Sequence, residues 1–339
     1  MRICVIGAGA IGGFVGARMA FAGHEVTLIA RGAHLRAIRE RGLTLVEADG
    51  TERIARVAHA TDDISSLGLH PKHDLVIVAL KAHQMEPVLA DIKRLCHADT
   101  IIVPMQNGIP FWYFLKHGGA LDGTIVRSVD PQGRLSSEFD IDRVVGCVVY
   151  PAALITAPGV IRCVEGERFP LGELDGTTTP RIVALSKIFE GAGFKAPILD
   201  NIRAEIWLKL WGNLSFNPLS ALTHKTLAQI CRFEPSRELA RKLMEEAQLV
   251  AESIGITFRV SIDKRIAGAE RVGEHKTSML QDVETGREPE IDALVGSVLE
   301  IARLQNIPTP HLDTVYVLVK SLSQTITKGG KRIQALAVA

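Results

Sequence analysis

No apolar run in this chain approaches the ~20 residues needed to cross a bilayer. The N-terminus shows no basic stretch ahead of an apolar signal core; its apolar residues, Ile3 to Ile6, already read as a strand. An excess of charge of one sign is missing too. Lys and Arg number 39 against 38 Asp and Glu, a formal net charge of +1. Neither nucleic acid nor an anionic membrane is therefore an expected partner. Cysteine is sparse: Cys4, Cys96, Cys147, Cys163 and Cys231 are odd in number and form no CxxC pair. That argues against a disulfide framework or a thiolate zinc site and for buried thiols in a reducing compartment. The eleven histidines show no spacing such as HExxH, so no metal is expected. His24, His34 and His83 read as surface residues. These absences predict a cytoplasmic protein. At 339 residues, 47% hydrophobic and without repeats or low-complexity tracts, the chain suits two domains with full cores.

The first thirty residues carry the strongest pattern. An apolar run, Arg2–Ile6, reads as a buried parallel strand, followed by Gly7-Ala8-Gly9-Ala10-Ile11-Gly12, a helical pattern to about Gly23, and a second strand, Glu25–Ala30. Within such a βαβ unit the glycines have separate tasks. Gly7 makes the tight turn, Gly9 lets backbone approach a pyrophosphate, and Gly12 lets helix and strand pack closely. Backbone N–H groups at the helix start would face the phosphates. The second strand ends in Ala30-Arg31-Gly32, where an NAD site usually offers a carboxylate. A guanidinium there can grip a 2′-phosphate with paired hydrogen bonds, which predicts NADPH/NADP+ as cofactor. The other reading makes Arg31 a solvated strand-end cation.

Further along, His34–Arg41 reads as helical, and Leu43–Val46 and Arg53–Ala58 as strands joined by an Asp49-Gly50 turn. Asp74–Leu80 is a buried strand, Met85–Cys96 a helix, and Thr100–Met105 the next strand, ending in Gln106-Asn107-Gly108. Alternation at this spacing predicts a Rossmann-type doubly wound parallel sheet, with ligands beyond the carboxyl ends of its strands, where Lys81 and Asn107 stand. Residues 118–144 form a long excursion with one candidate strand, Thr124–Val129. Val144–Tyr150, Gly159–Val164 and Phe169–Gly172 read as short strands, Pro180–Gly191 as a helix, and Lys195–Leu199 as a last strand. Beyond Asp200 only helices are predicted: Asn201–Phe216, Ser236–Ser253, Ile262–Gly273, Pro289–Gln305 and Leu312–Ile326. The change of pattern predicts an α/β domain over 1–199, binding NADP, and an all-helical domain over 200–339. The helical domain would carry substrate and catalytic residues and is compatible with a homodimer.

Helix Asn201–Phe216 holds the chemistry. At about 100° per residue, Ile202, Ile206, Leu210 and Leu214 make one apolar stripe, while Trp207, Trp211 and Phe216 cover much of the rest. Lys209 and Asn213 nevertheless fall among these residues, and Asn217 extends the row. Each buried polar group left unsatisfied would cost on the order of 1–3 kcal/mol, and an unpaired charge more. They should therefore face a cavity, a ligand or one another, and a cation with amides suits a small anionic substrate. Pro218 should kink or end the helix. In the competing reading Lys209 snorkels to solvent and the asparagines cap turns.

Taken together, Gly7-x-Gly9-x-x-Gly12, Leu80-Lys81-Ala82, Gln106-Asn107-Gly108, Lys209-x-x-x-Asn213-x-x-x-Asn217-Pro218, and Ser278-Met-Leu-Gln-Asp282 with Glu290-Ile-Asp292 resemble the ketopantoate reductase (2-dehydropantoate 2-reductase) family over nearly the whole chain. The resemblance implies NADPH-dependent reduction of 2-dehydropantoate to (R)-pantoate, in pantothenate synthesis. It casts Lys209 as the general acid that protonates the ketone oxygen. Asn213 and Asn217 would hold substrate oxygens, Ser278 with His275 to Thr277 the substrate carboxylate, and Glu290 would lie near the nicotinamide ribose and a substrate hydroxyl. Lys81, Asn107 and Ala152 match cofactor-contacting positions, and Asn107 would also face substrate. On its residues alone Glu290, just after Pro289, reads as a first-turn carboxylate that complements the helix dipole. Glu246 matches another acidic family position but reads as a solvated helix face. Near residue 227, where some members carry a substrate-contacting asparagine, this chain has Thr226-Leu-Ala-Gln229. The stretch between Asn107 and Gly146 is also longer than in compact members. A paralogous reductase of another small 2-keto acid, or an NADP(H)-binding sensor, are the competing functions.

Overall fold

The computed structural model describes residues 1–69, 72–330 and 332–335; the last four residues of the expected helical domain, 336–339, lie outside the described residues. Two compact units account for the chain: Met1–Gln106 with Phe114–Ile125 and Gln132–Ile202, and Asn107–Tyr113 with Val126–Pro131 and Arg203–Ala339.

The first unit is a Rossmann-type sheet unit. Strands β1 (Arg2–Ile6), β2 (Glu25–Ile29), β5 (His59–Thr61), β6 (His73–Val78) and β7 (Cys96–Pro104) form a five-stranded sheet ordered β5-β2-β1-β6-β7. All pairings are parallel. The chain winds outward from β1 through β2 to β5, then returns to the other side of β1. Strand order thus reverses beside β1, where ligands of such sheets bind. The apolar runs of β1, β2, β6 and the second half of β7 are buried on both faces, as uninterrupted apolar sequences require. A second sheet orders β4 (Glu52–Ala55), β3 (Leu43–Val46), β10 (Val160–Glu165) and β9 (Ala152–Ala157). The β3–β4 hairpin turns through Gly50 at φ +88°, with Asp49 Oδ1 accepting from Thr51 N–H at 2.9 Å. Helix α1 (Ala10–Phe21) packs Phe14, Val15, Ala17 and Met19 into the core, and α5 (Pro180–Gly191) adds Ile182, Leu185 and Phe189. The short α2 (Gly32–Arg41), α3 (Leu89–Leu95), α4 (Arg134–Glu138) and the two-stranded pair β8 (Gly146–Cys147) and β11 (Leu171–Gly172) complete this unit.

The second unit is helical. It comprises α6 (Ile202–Thr223), α7 (Leu227–Arg232), α8 (Glu234–Ser253), α9 (Ile262–Val272), α10 (Ser278–Thr285), a π turn at Asp292–Gly296 running into α11 (Ser297–Leu304), and α12 (Pro310–Gly329). Helix α6 is secured through its tryptophans. Trp207 donates through Nε1 to the Tyr113 hydroxyl at 2.7 Å, Trp211 donates to the Met244 carbonyl at 2.8 Å, and Trp211 stacks on Phe258. The segment at 107–113 is fastened here as well: Arg203 Nε donates to the Tyr113 carbonyl at 2.6 Å. Burial pushes the Tyr113 hydroxyl above its usual range, so it stays protonated.

Several expectations need correcting. No strand forms at Thr124–Val129: the Arg127 and Ser128 N–H groups and the Ser128 hydroxyl donate to the Glu300 carboxylate at 2.7, 2.8 and 2.6 Å, so they are not free for a ladder. Lys195–Leu199 makes only isolated bridges to Arg168 and Leu171, since Pro197 has no N–H to continue pairing. Pro87 breaks the expected helix from Met85 into short 3-10 turns before α3. Pro218 does not end α6, which runs on to Thr223 because the residues around it are buried. Strands β5 and β9 and helices α7 and α10 carried too short or too mixed a pattern to be read from sequence. His83 is exposed, but His24 and His34 are half-buried, and His34 Nδ1 accepts from Gly159 N–H at 3.0 Å.

Glu246 is the clearest reversal. It is not solvated but 8% exposed, and it accepts from the N–H groups of His311 and Leu312 at 3.0 and 2.9 Å and lies 2.6 Å from His311 Nδ1. The N-cap of α12, Thr309, makes no side-chain cap, so a carboxylate from α8 performs that task across the unit. Glu246→Ala should lower unfolding stability by about 1–3 kcal/mol, because the buried Leu312 N–H and the half-buried His311 N–H lose their acceptor. Denaturant midpoints measure this; an unchanged midpoint would return Glu246 to the solvent face.

Candidate active site

The glycine loop lies in the first unit. Gly7, at φ +91°, closes the turn after β1, and its N–H and that of Ala8 donate to the Ile29 carbonyl at 3.2 and 2.8 Å. A Cβ on Gly7 would stand 2.6 Å from Leu80 Cδ2 and 2.7 Å from the Ala79 carbonyl oxygen. On Gly12 it would stand 2.1 Å from the Gly7 carbonyl oxygen, so the start of α1 packs on the turn only with glycine there. Gly9 differs: nothing lies within 4 Å of where its Cβ would be. Folding does not demand glycine at Gly9, but a ligand approaching the backbone would. Gly9 is the N-cap of α1, brings no side chain to the N–H groups of Ala10, Ile11 and Gly12, and the first turn holds no acidic residue. Such a helix start favours a phosphate, so the residues present fit a dinucleotide. Arg31 is exposed at the end of β2, as the N-cap of α2. Lys81 is half-buried beyond β6, with its backbone N–H donating to Gln84 Oε1 at 3.3 Å. Gln106, beyond β7, donates to the Val78 and Leu80 carbonyls at 3.2 and 3.3 Å, and Ala152 opens β9.

The polar row on α6 lies in the second unit, and so does Asn107. Lys209 Nζ donates to Asn107 Oδ1 at 2.6 Å, and Asn107 Nδ2 reaches Glu290 Oε2 at a long 3.4 Å. The amide thus presents oxygen to the ammonium and nitrogen to the carboxylate, the orientation each charge prefers. The half-buried Lys209 is not a snorkelling cation, since its amine is tied to Asn107. One turn on, the half-buried side chain of Asn213 makes no bond to a described residue, and Asn217, 6% exposed, reaches the Ser278 hydroxyl at 3.5 Å. Ser278 is exposed as the first residue of α10, whose N-cap, Thr277, accepts from Leu280 N–H at 3.3 Å. Glu290 stands just before the helical segment at Ile291.

Two neighbours of this row were not foreseen. The Arg265 guanidinium of α9 lies against Gly212, where a Cβ would be 2.2 Å from Nη2, one residue before Asn213. The signal was a glycine inside a helix, which is unfavourable by roughly 1 kcal/mol relative to alanine and often marks close approach. The second is the contact between Gly108 and Ala293, which no sequence spacing announces.

A family model described as ketopantoate reductase PanE/ApbA matches residues 3–176, and its C-terminal counterpart matches residues 201–323. The chain belongs to the ketopantoate reductase family. A curated 2-dehydropantoate 2-reductase of Mesorhizobium japonicum is 51% identical over 324 residues, covering 95% of this chain and 98% of the relative. The counterpart from Halobacterium salinarum is 28% identical over 94% of this chain and 98% of its own length. Among solved structures, a 2-dehydropantoate 2-reductase from Geobacter metallireducens superposes with a TM-score of 0.81 at 26% identity, over 95% of this chain and 99% of that one. Among the described residues of this family member no His, Cys, Asp or Glu group could hold a metal ion, and no helix is long and apolar enough to cross a membrane.

The two glycine environments give opposite expectations. Gly12→Ala should lower the melting temperature by several degrees, because overpacking against backbone costs about 1–3 kcal/mol. Gly9→Ala should leave melting within about a degree or two and weaken dinucleotide binding at least tenfold, since its methyl group fills only the space a phosphate needs. Thermal scans with binding titrations test both; normal dinucleotide affinity in Gly9→Ala would remove this loop from the cofactor site.

Proposed function

We propose that the chain reduces 2-dehydropantoate to (R)-pantoate, with NADPH as reductant. It is an oxidoreductase acting on a C=O/CH–OH pair. The observation that supports the assignment of roles is the Lys209 amine, bonded at 2.6 Å to Asn107 on a helix buried along most of its length. A bound nicotinamide dinucleotide supplies the hydride; the chain's own residues supply position, field and proton. As the ketone carbon is reduced, negative charge grows on its oxygen. The Lys209 ammonium stabilises that charge and then donates a proton to it. An ammonium carries three donors, so the bond to Asn107 fixes its direction without consuming the transferred proton. Glu290, across the Asn107 amide, keeps the local balance of charge and accepts from a substrate hydroxyl. Asn213 and Asn217 hold substrate oxygens, and Ser278, at the start of α10, takes the carboxylate together with that helix's N–H groups.

Reduction of another small 2-keto acid is the second reading, favoured by one observation. Thr226 and Gln229 spend their polar groups on each other as the cap of α7, and the Thr226 hydroxyl donates to Glu274 at 2.5 Å. That segment therefore lacks the substrate-contacting amide that the resemblance places near residue 227. Steady-state kinetics with 2-dehydropantoate against three or four other 2-keto acids separate the two readings.

Lys209→Ala should lower kcat by about 10²–10⁴-fold while NADPH still binds; near-normal turnover would take Lys209 out of the mechanism. Arg31→Ala should weaken NADPH about 10–100-fold, the worth of charge-assisted hydrogen bonds, and leave NADH nearly unchanged. Equal losses for the two cofactors would put the 2′-phosphate elsewhere.

A further inference from the structure

The wide turn at Asp292–Gly296 has no role in the reading above, yet it touches the residues that aim the amine. A π turn releases a carbonyl from the ordinary helical ladder and is rare outside functional sites. Here the Ser297 N–H bonds to the Asp292 carbonyl five residues back. The Ala293 carbonyl accepts instead from Ile109 N–H at 3.0 Å and from the Ser297 hydroxyl at 2.8 Å. Gly108 sits directly over that carbonyl, with φ +81°, and a Cβ on it would stand 2.1 Å from the Ala293 oxygen and 2.5 Å from its carbon. Only glycine allows this approach. The preceding residue is Asn107, bonded to Lys209 Nζ. On its other side the turn is secured to α12: Asp292 accepts from the Tyr316 hydroxyl at 2.7 Å and from Lys320 Nζ at 2.8 Å.

We propose that this π turn is a latch that aims the proton donor. Through the Ala293 carbonyl it holds Gly108 and Ile109, and thereby fixes the Asn107 amide against Lys209, while its own leading residues place Glu290 on the amide's other side. Gly108, Asp292 and Ala293 are positioning residues; none needs to touch substrate. The proposal rests on Lys209 being the proton donor. It also accounts for a pattern that spacing alone left unexplained, the glycine after Gln106-Asn107 and the aspartate two residues after Glu290.

A double-mutant cycle on kcat, at saturating keto acid and NADPH, tests it. Gly108→Ala should lower kcat about 10–100-fold, the usual effect of misplacing a reacting group by about 1 Å. Asp292→Asn, which keeps the shape and loosens the α12 anchor, should lower it about 3–10-fold by the same effect. It serves where Gly108→Ala folds poorly. In an Asn107→Ala background both losses should vanish to within about twofold, because a latch that acts through Asn107 has nothing left to position. A merely structural role would leave the losses multiplying, and that result overturns the latch. Lys209→Ala, measured alongside, separates the two readings. Slow turnover in that variant with multiplying losses overturns the latch alone. Near-normal turnover overturns the proton-donor assignment and the latch with it.

Discussion

A charged nitrogen on a largely buried helix must be given oxygen, and the second unit is built to give it. Helix α6 exposes little of its length: its tryptophans, Ile202, Leu210 and Leu214 are almost wholly covered. In such surroundings an unpaired ammonium would be strongly unfavourable. The partner comes from a distant part of the chain. Asn107 is 102 residues away in sequence, and Glu290, which meets the other end of its amide, is 183 residues from Asn107. The resulting row of amine, amide and carboxylate holds the Lys209 amine in a fixed direction through the Asn107 amide.

One device recurs in each unit where backbone or a bulky head group comes close. Gly12 admits the Gly7 carbonyl, Gly108 admits the Ala293 carbonyl, and Gly212 admits the Arg265 guanidinium. At Gly12 and Gly108 a methyl group would meet backbone, whereas at Gly212 it would meet the movable end of the Arg265 side chain. Gly9 stands apart, since the space beside it is open. Gly12 and Gly108 are required by the fold, whereas packing places no such demand at Gly9. What a missing Cβ would touch thus identifies the glycines that packing demands, a distinction composition cannot make.

Reliance on distant partners also explains which parts were readable early. The glycine loop and its flanking strands are local: turn, helix start and parallel strand are encoded within about thirty residues, and β1, α1 and β2 appear where the pattern put them. The polar row on α6 was legible because helical period places Lys209, Asn213 and Asn217 on one side whatever the helix packs against. Strand pairing at 124–129 was not legible, since its N–H groups are claimed by Glu300, far along the chain. Glu246 was misread for the same reason: a Glu-Glu-Ala stretch looks solvated until α12 brings His311 and Leu312 to it.

By itself, the sequence determined what depends on near neighbours along the chain: the parallel strands, the glycine turn, the cation at the end of β2 and the polar row on α6. Periodicity and backbone sterics act over a few residues, so they can be read from a few residues. Only the tertiary structure decided what each polar group meets: Asn107 between Lys209 and Glu290, Gly108 on the Ala293 carbonyl, Glu246 at the start of α12. Those pairings join residues far apart in sequence, and they exist because burial forces each polar atom to find whichever partner the packing of the whole chain delivers.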